Sequence, residues 1–126
     1  MSSYSGSFVY SRKHLRANLE LPADFRILAQ HKDRERHALN IKTLSGGGVM
    51  FISPFPLNTG TEIEMTVYDL AMQIHFIAKV IWTEKVLDKP ASRYKCGLVF
   101  TEISDENLVE INRILSSNLT EPGRAA

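Results

Sequence analysis

Hydrophobic side chains recur at every second position through the middle of this chain. The longest run extends from Met72 to Trp82, and its apolar residues are Met72, Ile74, Phe76, Ala78, Val80 and Trp82. Because successive side chains of a β-strand point to opposite faces, this spacing predicts one long strand with a single apolar face. A chain built on such strands must find a second layer, or close on itself, to bury that face.

Five further segments have the composition of strands. The first, Leu19 to Ile27, alternates in the same way, and Pro22 within it favours an edge position or a bulge because proline cannot donate a ladder hydrogen bond. The others are His37–Thr43, Val49–Ser53, a segment around Ile63, Met65 and Val67, and Tyr94–Phe100. Six short strands separated by glycine- and proline-containing turns predict a mainly β protein, a small antiparallel barrel or sandwich.

The apolar period changes after Ile103. Ser104 is a good N-cap, and Asp105 and Glu106 follow it in a first helical turn, where negative charge is favoured. A helical apolar stripe follows, consisting of Leu108, Ile111 and Leu115 with Ile114 beside it. We expect this C-terminal helix to cover one side or one mouth of the barrel.

Charge and cysteine content narrow the functional classes. The formal net charge is +1, so an anion-binding site must arise from local clustering of charge. Cys96 is the single cysteine, which excludes an internal disulfide and a thiolate metal cluster. The N-terminal residues lack the basic start and apolar stretch of a signal peptide, and no apolar run reaches membrane-spanning length. We therefore expect a cytoplasmic protein with no membrane partner.

A basic cluster precedes the first predicted strand. Arg12 and Arg16 are four residues apart, with Lys13 between them. A guanidinium group can bind a phosphate, or the O6/N7 edge of guanine, with two hydrogen bonds. Taken alone, the cluster is better explained as a solvated basic stretch ahead of a strand.

A second polar cluster joins the second and third predicted strands. Thr43 and Ser45 are two residues apart, so both side chains face the same way on a strand. The glycines that follow, Gly46 to Gly48, allow positive φ and close approach of a ligand to backbone N–H groups. Taken alone, this cluster is explained as a tight hairpin.

The order of these clusters along the predicted strands resembles the PilZ domain family, the bacterial receptors for cyclic di-GMP. The likeness extends over about residues 10 to 118. The family's Arg-x-x-x-Arg motif is matched at Arg12 and Arg16. Its Asp/Asn-x-Ser-x-x-Gly motif is matched at Ser45 and Gly48 but not at Thr43. The last strand adds the Gly-x-x-Phe of residues 97–100.

The resemblance implies a fold and a domain organisation. The fold is a six-stranded antiparallel PilZ-type β-barrel with a C-terminal α-helix. Residues 12–118 would form a single domain, residues 1–11 a flexible N-terminal arm and residues 119–126 a disordered tail. In that picture the arm folds over the barrel and clamps the dinucleotide.

The resemblance also implies a binding site for cyclic di-GMP. The residues that it places there are Arg12, Lys13, Arg16, Thr43, Ser45, Gly47, Gly48 and Trp82. Trp82 lies where the family often has an aromatic residue near the bound base, but an inward-facing core tryptophan explains it as well. Thr43 lacks a carboxylate that could accept from guanine N1–H and N2–H, which we expect to weaken binding about ten- to a hundredfold.

The implied function is that of a non-enzymatic receptor or adaptor. Cyclic di-GMP binding would change its conformation and regulate a downstream effector protein, with no DNA, RNA or further cofactor, in a monomer or weak dimer. The alternative is a degenerate PilZ domain that acts as a nucleotide-independent protein-interaction module. Neither catalysis nor a metal site is expected, since Ser45 has no histidine–acid pair and His31 and His37 are interpreted as solvated loop residues.

Overall fold

A computed structural model describes residues 16–28, 36–70, 72–86 and 93–118. These residues form six antiparallel strands that close into a barrel in the order β1-β2-β3-β6-β5-β4, followed by one helix. The elements are β1 (Arg16–Ile27), β2 (His37–Ser45), β3 (Gly48–Ser53), β4 (Glu62–Tyr68), β5 (Gln73–Val86), β6 (Arg93–Ile103) and α1 (Asp105–Asn118). The predicted six-stranded barrel with a C-terminal helix is therefore confirmed, and the sandwich is excluded.

The barrel interior is filled by the inward-facing half of each strand. Phe25, Phe51, Ile63 and Met65 are fully buried, as the alternation predicts. Each strand has a hydrogen-bonded neighbour on both sides over part of its length, so the described strands close into a barrel.

Pro22 lies where β1 has a partner on one side only. It pairs with Asn40 of β2, whereas the ladder between β1 and β4 begins one residue later, at Ala23. An irregularity in the β1–β2 pairing between Asn18 and Leu21 comes just before it. The missing N–H of proline therefore costs no hydrogen bond to β4.

Helix α1 begins as the sequence predicts. The Ser104 hydroxyl accepts a hydrogen bond from the Asn107 N–H at 3.1 Å, and the Ser104 carbonyl accepts from the Leu108 N–H at 2.9 Å. Ile111 and Leu115 are buried in the main core cluster, where the helix packs against β1, β2 and β5. The helix thus covers part of the barrel.

The alternation in β5 breaks just before Trp82. Val80 is 1% exposed and faces the core, but the pairing with β6 shifts between Val80 and Trp82, so that Ile81 is an extra residue. After such a bulge, the side chains at the positions that would have faced the core point to the outer face of the sheet instead. Trp82 is consequently 41% exposed, and its interpretation as an inward-facing core tryptophan is wrong.

The remaining differences concern where strands begin and end. β1 starts at Arg16 rather than Leu19, so Arg16 belongs to the barrel and not to a segment ahead of it. β3 starts at Gly48, where an added Cβ would lie 1.9 Å from the Leu98 backbone oxygen. The predicted arm, the predicted tail, Arg12, Lys13 and His31 lie outside the described residues. Within the described part of the chain, no helix is long and apolar enough to cross a membrane.

Candidate functional site

A cleft of about 980 Å³ lies between the outer surface of five strands and the start of α1. Its lining residues are Arg16, Thr43, Ser45, Gly46, Gly47, Gly48, Val49, Met50, Ile81, Trp82, Lys95, Gly97, Leu98, Val99, Phe100, Ile103 and Leu108. Small-molecule sites are typically about 300–1,000 Å³ in volume. The cleft is therefore large enough for a ligand of dinucleotide size.

Strand register lines up the residues of this surface in a row. Thr43 of β2 is the partner of Asn18 on β1 and of Met50 on β3, and Gly97 of β6 is the partner of both Met50 and Trp82. Directly paired residues present their side chains on the same face of a sheet, with strands about 4.8 Å apart. Residues from five strands thus form one continuous outer surface.

The indole of Trp82 packs against Gly97. A Cβ added to Gly97 would lie 2.2 Å from both Cε2 and Nε1 of the indole. The ring therefore occupies the space that any other residue at position 97 would fill. One part of the indole covers Gly97, while the 41% exposure leaves apolar ring surface open to the cleft.

Ser45 holds the turn between β2 and β3. Its hydroxyl accepts hydrogen bonds from the Gly47 N–H at 3.2 Å and the Gly48 N–H at 3.1 Å, and it donates to the Gly48 carbonyl at 3.2 Å. The sequence led us to expect these N–H groups to face a ligand, whereas here they are bonded to Ser45. The hairpin explanation of this cluster therefore describes its geometry, and Ser45, Gly47 and Gly48 also line the cleft.

The charge lining the cleft has one sign. Among its described lining residues, Arg16 and Lys95 are cationic and none is acidic. Arg16 is exposed at the start of β1, and Lys95 is half-buried on β6. Two cations, one on β1 and one on β6, without a carboxylate in the lining, make the cleft suited to an anion.

Thr43 faces the cleft beside a residue that the sequence did not single out. Its hydroxyl donates to Oδ1 of Asn18 at 3.3 Å. Asn18 stands two positions after Arg16 on the same face of β1. Lys95 was missed as well, although its position next to buried Cys96 in an alternating strand could have placed it on the outside.

The other chemical candidates do not form a second site. Cys96 is fully buried, and burial raises the pKa of its thiol. His37 is half-buried at the start of β2. The centroid of its ring lies 5.2 Å from that of Phe25 and 5.0 Å from that of Phe55. Its interpretation as a solvated loop residue is therefore wrong. The described residues contain no cluster of three or more metal-ligating side chains.

The sequence profile of the PilZ domain matches residues 10–117, which is most of the chain. The chain belongs to the PilZ domain family. The family includes receptors that bind cyclic di-GMP, and PilZ domains are binding and adaptor modules rather than enzymes. No curated protein sequence matches it significantly.

Solved structures of PilZ proteins share the fold. One is the PilZ domain of YcgR from Escherichia coli with c-di-GMP, with 18% identity and a TM-score of 0.65 over 85% of this chain and 90% of that one. Another is the K. pneumonia MrkH–c-di-GMP complex, with 18% identity and a TM-score of 0.66 over 84% of this chain and 51% of that one. A third is the motility inhibitor MotI/DgrA of Bacillus subtilis, with 15% identity and a TM-score of 0.65 over 84% and 49%. This PilZ domain thus spans about half the length of MrkH and MotI/DgrA.

The PilZ fold brings most of the predicted site residues together. Six of them line the one cleft, namely Arg16, Thr43, Ser45, Gly47, Gly48 and Trp82. Arg12 and Lys13 lie outside the described residues.

Proposed function

We propose that this PilZ domain is a receptor for cyclic di-GMP that binds the nucleotide in the cleft and regulates a partner protein. The observation that carries the proposal is the lining of the cleft, which combines two cations, no acid among the described residues, and an exposed indole. Cyclic di-GMP offers the complementary groups, since it has two phosphates and two guanine bases.

The cations have distinct tasks in this proposal. Arg16, with Arg12 and Lys13 ahead of it, binds phosphate oxygens or the O6/N7 edge of a guanine through paired N–H donors. Lys95 approaches the ligand from β6 as a point charge. Ser45 keeps the Gly46–Gly48 turn in shape, so that the ligand meets a surface already formed.

Trp82 supplies a stacking surface for a base. Stacking of a base on an aromatic side chain contributes about 1–3 kcal/mol to binding. Because the indole is fixed against Gly97, little side-chain freedom is lost when a base stacks on it. The signalling step follows if the N-terminal arm gains contacts only in the nucleotide complex, which changes the surface available to an effector.

The proposal is tested by isothermal titration calorimetry of the full chain with cyclic di-GMP. We expect saturable binding in the micromolar range, a higher melting temperature with ligand, and weaker binding as salt is raised. No heat at tens of micromolar protein, together with an unchanged melting temperature, would overturn it.

A nucleotide-independent interaction module is the second candidate function. Two observations favour it: position 43 lacks a carboxylate or amide, and the N–H groups of Gly47 and Gly48 are bonded to Ser45. It predicts that Arg12→Ala combined with Arg16→Ala leaves cellular function intact. Loss of cellular function in that variant, with the fold preserved, would favour the receptor.

Replacing Thr43 with aspartate is expected to tighten cyclic di-GMP binding by about tenfold, because a carboxylate accepts from guanine N1–H and N2–H together. Calorimetry on the full chain gives the change, and Thr43→Ser, which keeps one hydroxyl, serves as the control. An equal or lower affinity in Thr43→Asp would show that a carboxylate at position 43 gains no such contact with guanine.

Replacing Lys95 with alanine is expected to weaken cyclic di-GMP binding by about three- to tenfold, because a phosphate loses a cation. Lys85→Ala is the matched control. It removes the same charge from an exposed lysine of β5 that does not line the cleft. Equal affinities of the two variants would contradict a ligand contact at Lys95.

A further inference from the structure

Asn18 stands beside the one position where the family's second motif is incomplete. It is exposed on β1, two residues after Arg16, and its register partner across the ladder is Thr43. Arg16 and Thr43 both line the cleft, so Asn18, which is not itself a lining residue, is next to two residues that are, on the same outer surface. An amide side chain is thus present one strand away from the position where the motif asks for an amide or an acid.

The hydrogen bond from Thr43 orients this amide. The Thr43 hydroxyl donates to Oδ1 of Asn18 at 3.3 Å, which turns the carbonyl end toward Thr43 and the NH₂ end away from it. None of the hydrogen bonds among the described residues uses Nδ2 of Asn18. Two N–H donors of Asn18 therefore lie on the outer surface beside Arg16, at the edge of the cleft.

We propose that Asn18 contacts the nucleotide and that Thr43 positions it. This inference rests on the proposed function. The Asn18 amide donates to an acceptor oxygen of cyclic di-GMP, either a phosphate oxygen or guanine O6. Thr43 acts through Asn18, since its hydroxyl holds the amide in the orientation that presents the donors.

The arrangement differs chemically from the usual motif. A carboxylate at position 43 would accept from guanine N1–H and N2–H, whereas the Asn18–Thr43 pair presents N–H donors. The threonine at position 43 therefore does more than remove the motif's acidic or amide group, because its hydroxyl sets the direction of the neighbouring Asn18 amide.

The test is calorimetry of the full chain with cyclic di-GMP, using Asn18→Ala, Thr43→Val and the double variant. We expect Asn18→Ala to weaken binding by about five- to twentyfold and Thr43→Val by about two- to fivefold. Thr43→Val should cause no further loss once Asn18 is alanine, because Thr43 acts through that amide. Additive losses in the double variant would overturn the positioning role of Thr43.

Asn40→Ala is the matched control for Asn18→Ala. Asn40 is also an exposed strand asparagine, but its ladder partner, Pro22, does not line the cleft, whereas Thr43, the partner of Asn18, does. We expect wild-type affinity for Asn40→Ala and an unchanged melting temperature for both variants. If Asn18→Ala binds as tightly as Asn40→Ala, Asn18 is not a ligand contact.

A phosphorothioate analogue of cyclic di-GMP, with sulfur in place of a non-bridging oxygen on each phosphate, separates the two acceptors. Sulfur is a poor hydrogen-bond acceptor, so a smaller loss from Asn18→Ala with this analogue places the contact at phosphate. An unchanged loss with both phosphorus diastereomers, which between them replace each non-bridging oxygen, places it at guanine O6. If the wild-type chain does not bind unmodified cyclic di-GMP, the proposed function itself is rejected. This outcome differs from wild-type affinity in Asn18→Ala, which rejects only the Asn18 contact.

Discussion

Replacing Arg12 and Arg16 together with alanine is expected to reduce cyclic di-GMP binding by about 100- to 10,000-fold, which removes it from the range of calorimetry. A hydrogen bond to a charged group contributes about 1.5–3 kcal/mol, and each arginine can make two such bonds with one phosphate or guanine edge. Arg16 is exposed at the rim of the cleft and makes no ion pair among the described residues, so its removal should leave the barrel intact.

Arg16→Lys is the control that separates charge from geometry. Lysine retains the unit charge but loses the planar pair of donors, so this variant should bind with an intermediate affinity. Circular dichroism and thermal unfolding check that the barrel is unchanged. Wild-type affinity in the double alanine variant, with the fold intact, would contradict the assignment of the arginines to the ligand.

Replacing Gly97 with alanine is expected to weaken cyclic di-GMP binding by about 10- to 100-fold without unfolding the protein. The new Cβ would lie 2.2 Å from two atoms of the Trp82 indole, so the ring must move away. Because Trp82 is 41% exposed, it can rotate toward solvent, and the core is not disturbed. The stacking surface is lost, and with it about 1–3 kcal/mol of binding free energy.

Fluorescence reports this change directly, because Trp82 is the only tryptophan of the chain. We expect Gly97→Ala to shift the emission to longer wavelength while the melting temperature changes by no more than a few degrees. In a Trp82→Ala background, Gly97→Ala should cause no further loss of affinity, since both substitutions remove the same surface. A further loss in that background would show that Gly97 acts on binding by another route.

The barrel was predictable because its core obeys a simple period. Phe25, Ile63 and Met65 lie at alternating positions and are fully buried, and Ser104 caps the helix as its residue type indicates. These features are local: each depends on a few neighbouring residues and on the direction in which side chains leave a strand or helix. The order of the two ligand motifs along the predicted strands indicated the family.

The details of the cleft were not predictable in the same way, because they depend on bulges and register. The extra residue at Ile81 turns Trp82 outward, and no residue type in the sequence marks that bulge. Asn18 and Thr43 are 25 residues apart and meet only because β1 and β2 pair in one particular register. Lys95 reaches the cleft for the same reason, since β6 is inserted between β3 and β5.

The most direct test of the central claim is a titration of the full chain with cyclic di-GMP followed by the fluorescence of Trp82. We expect a saturable change in emission at micromolar nucleotide. This change should be lost in the variant that combines Arg12→Ala with Arg16→Ala and retained in Lys85→Ala. Unchanged emission while calorimetry registers binding would place the nucleotide outside this cleft. No change in Trp82 emission together with no heat of binding in calorimetry would contradict a receptor function.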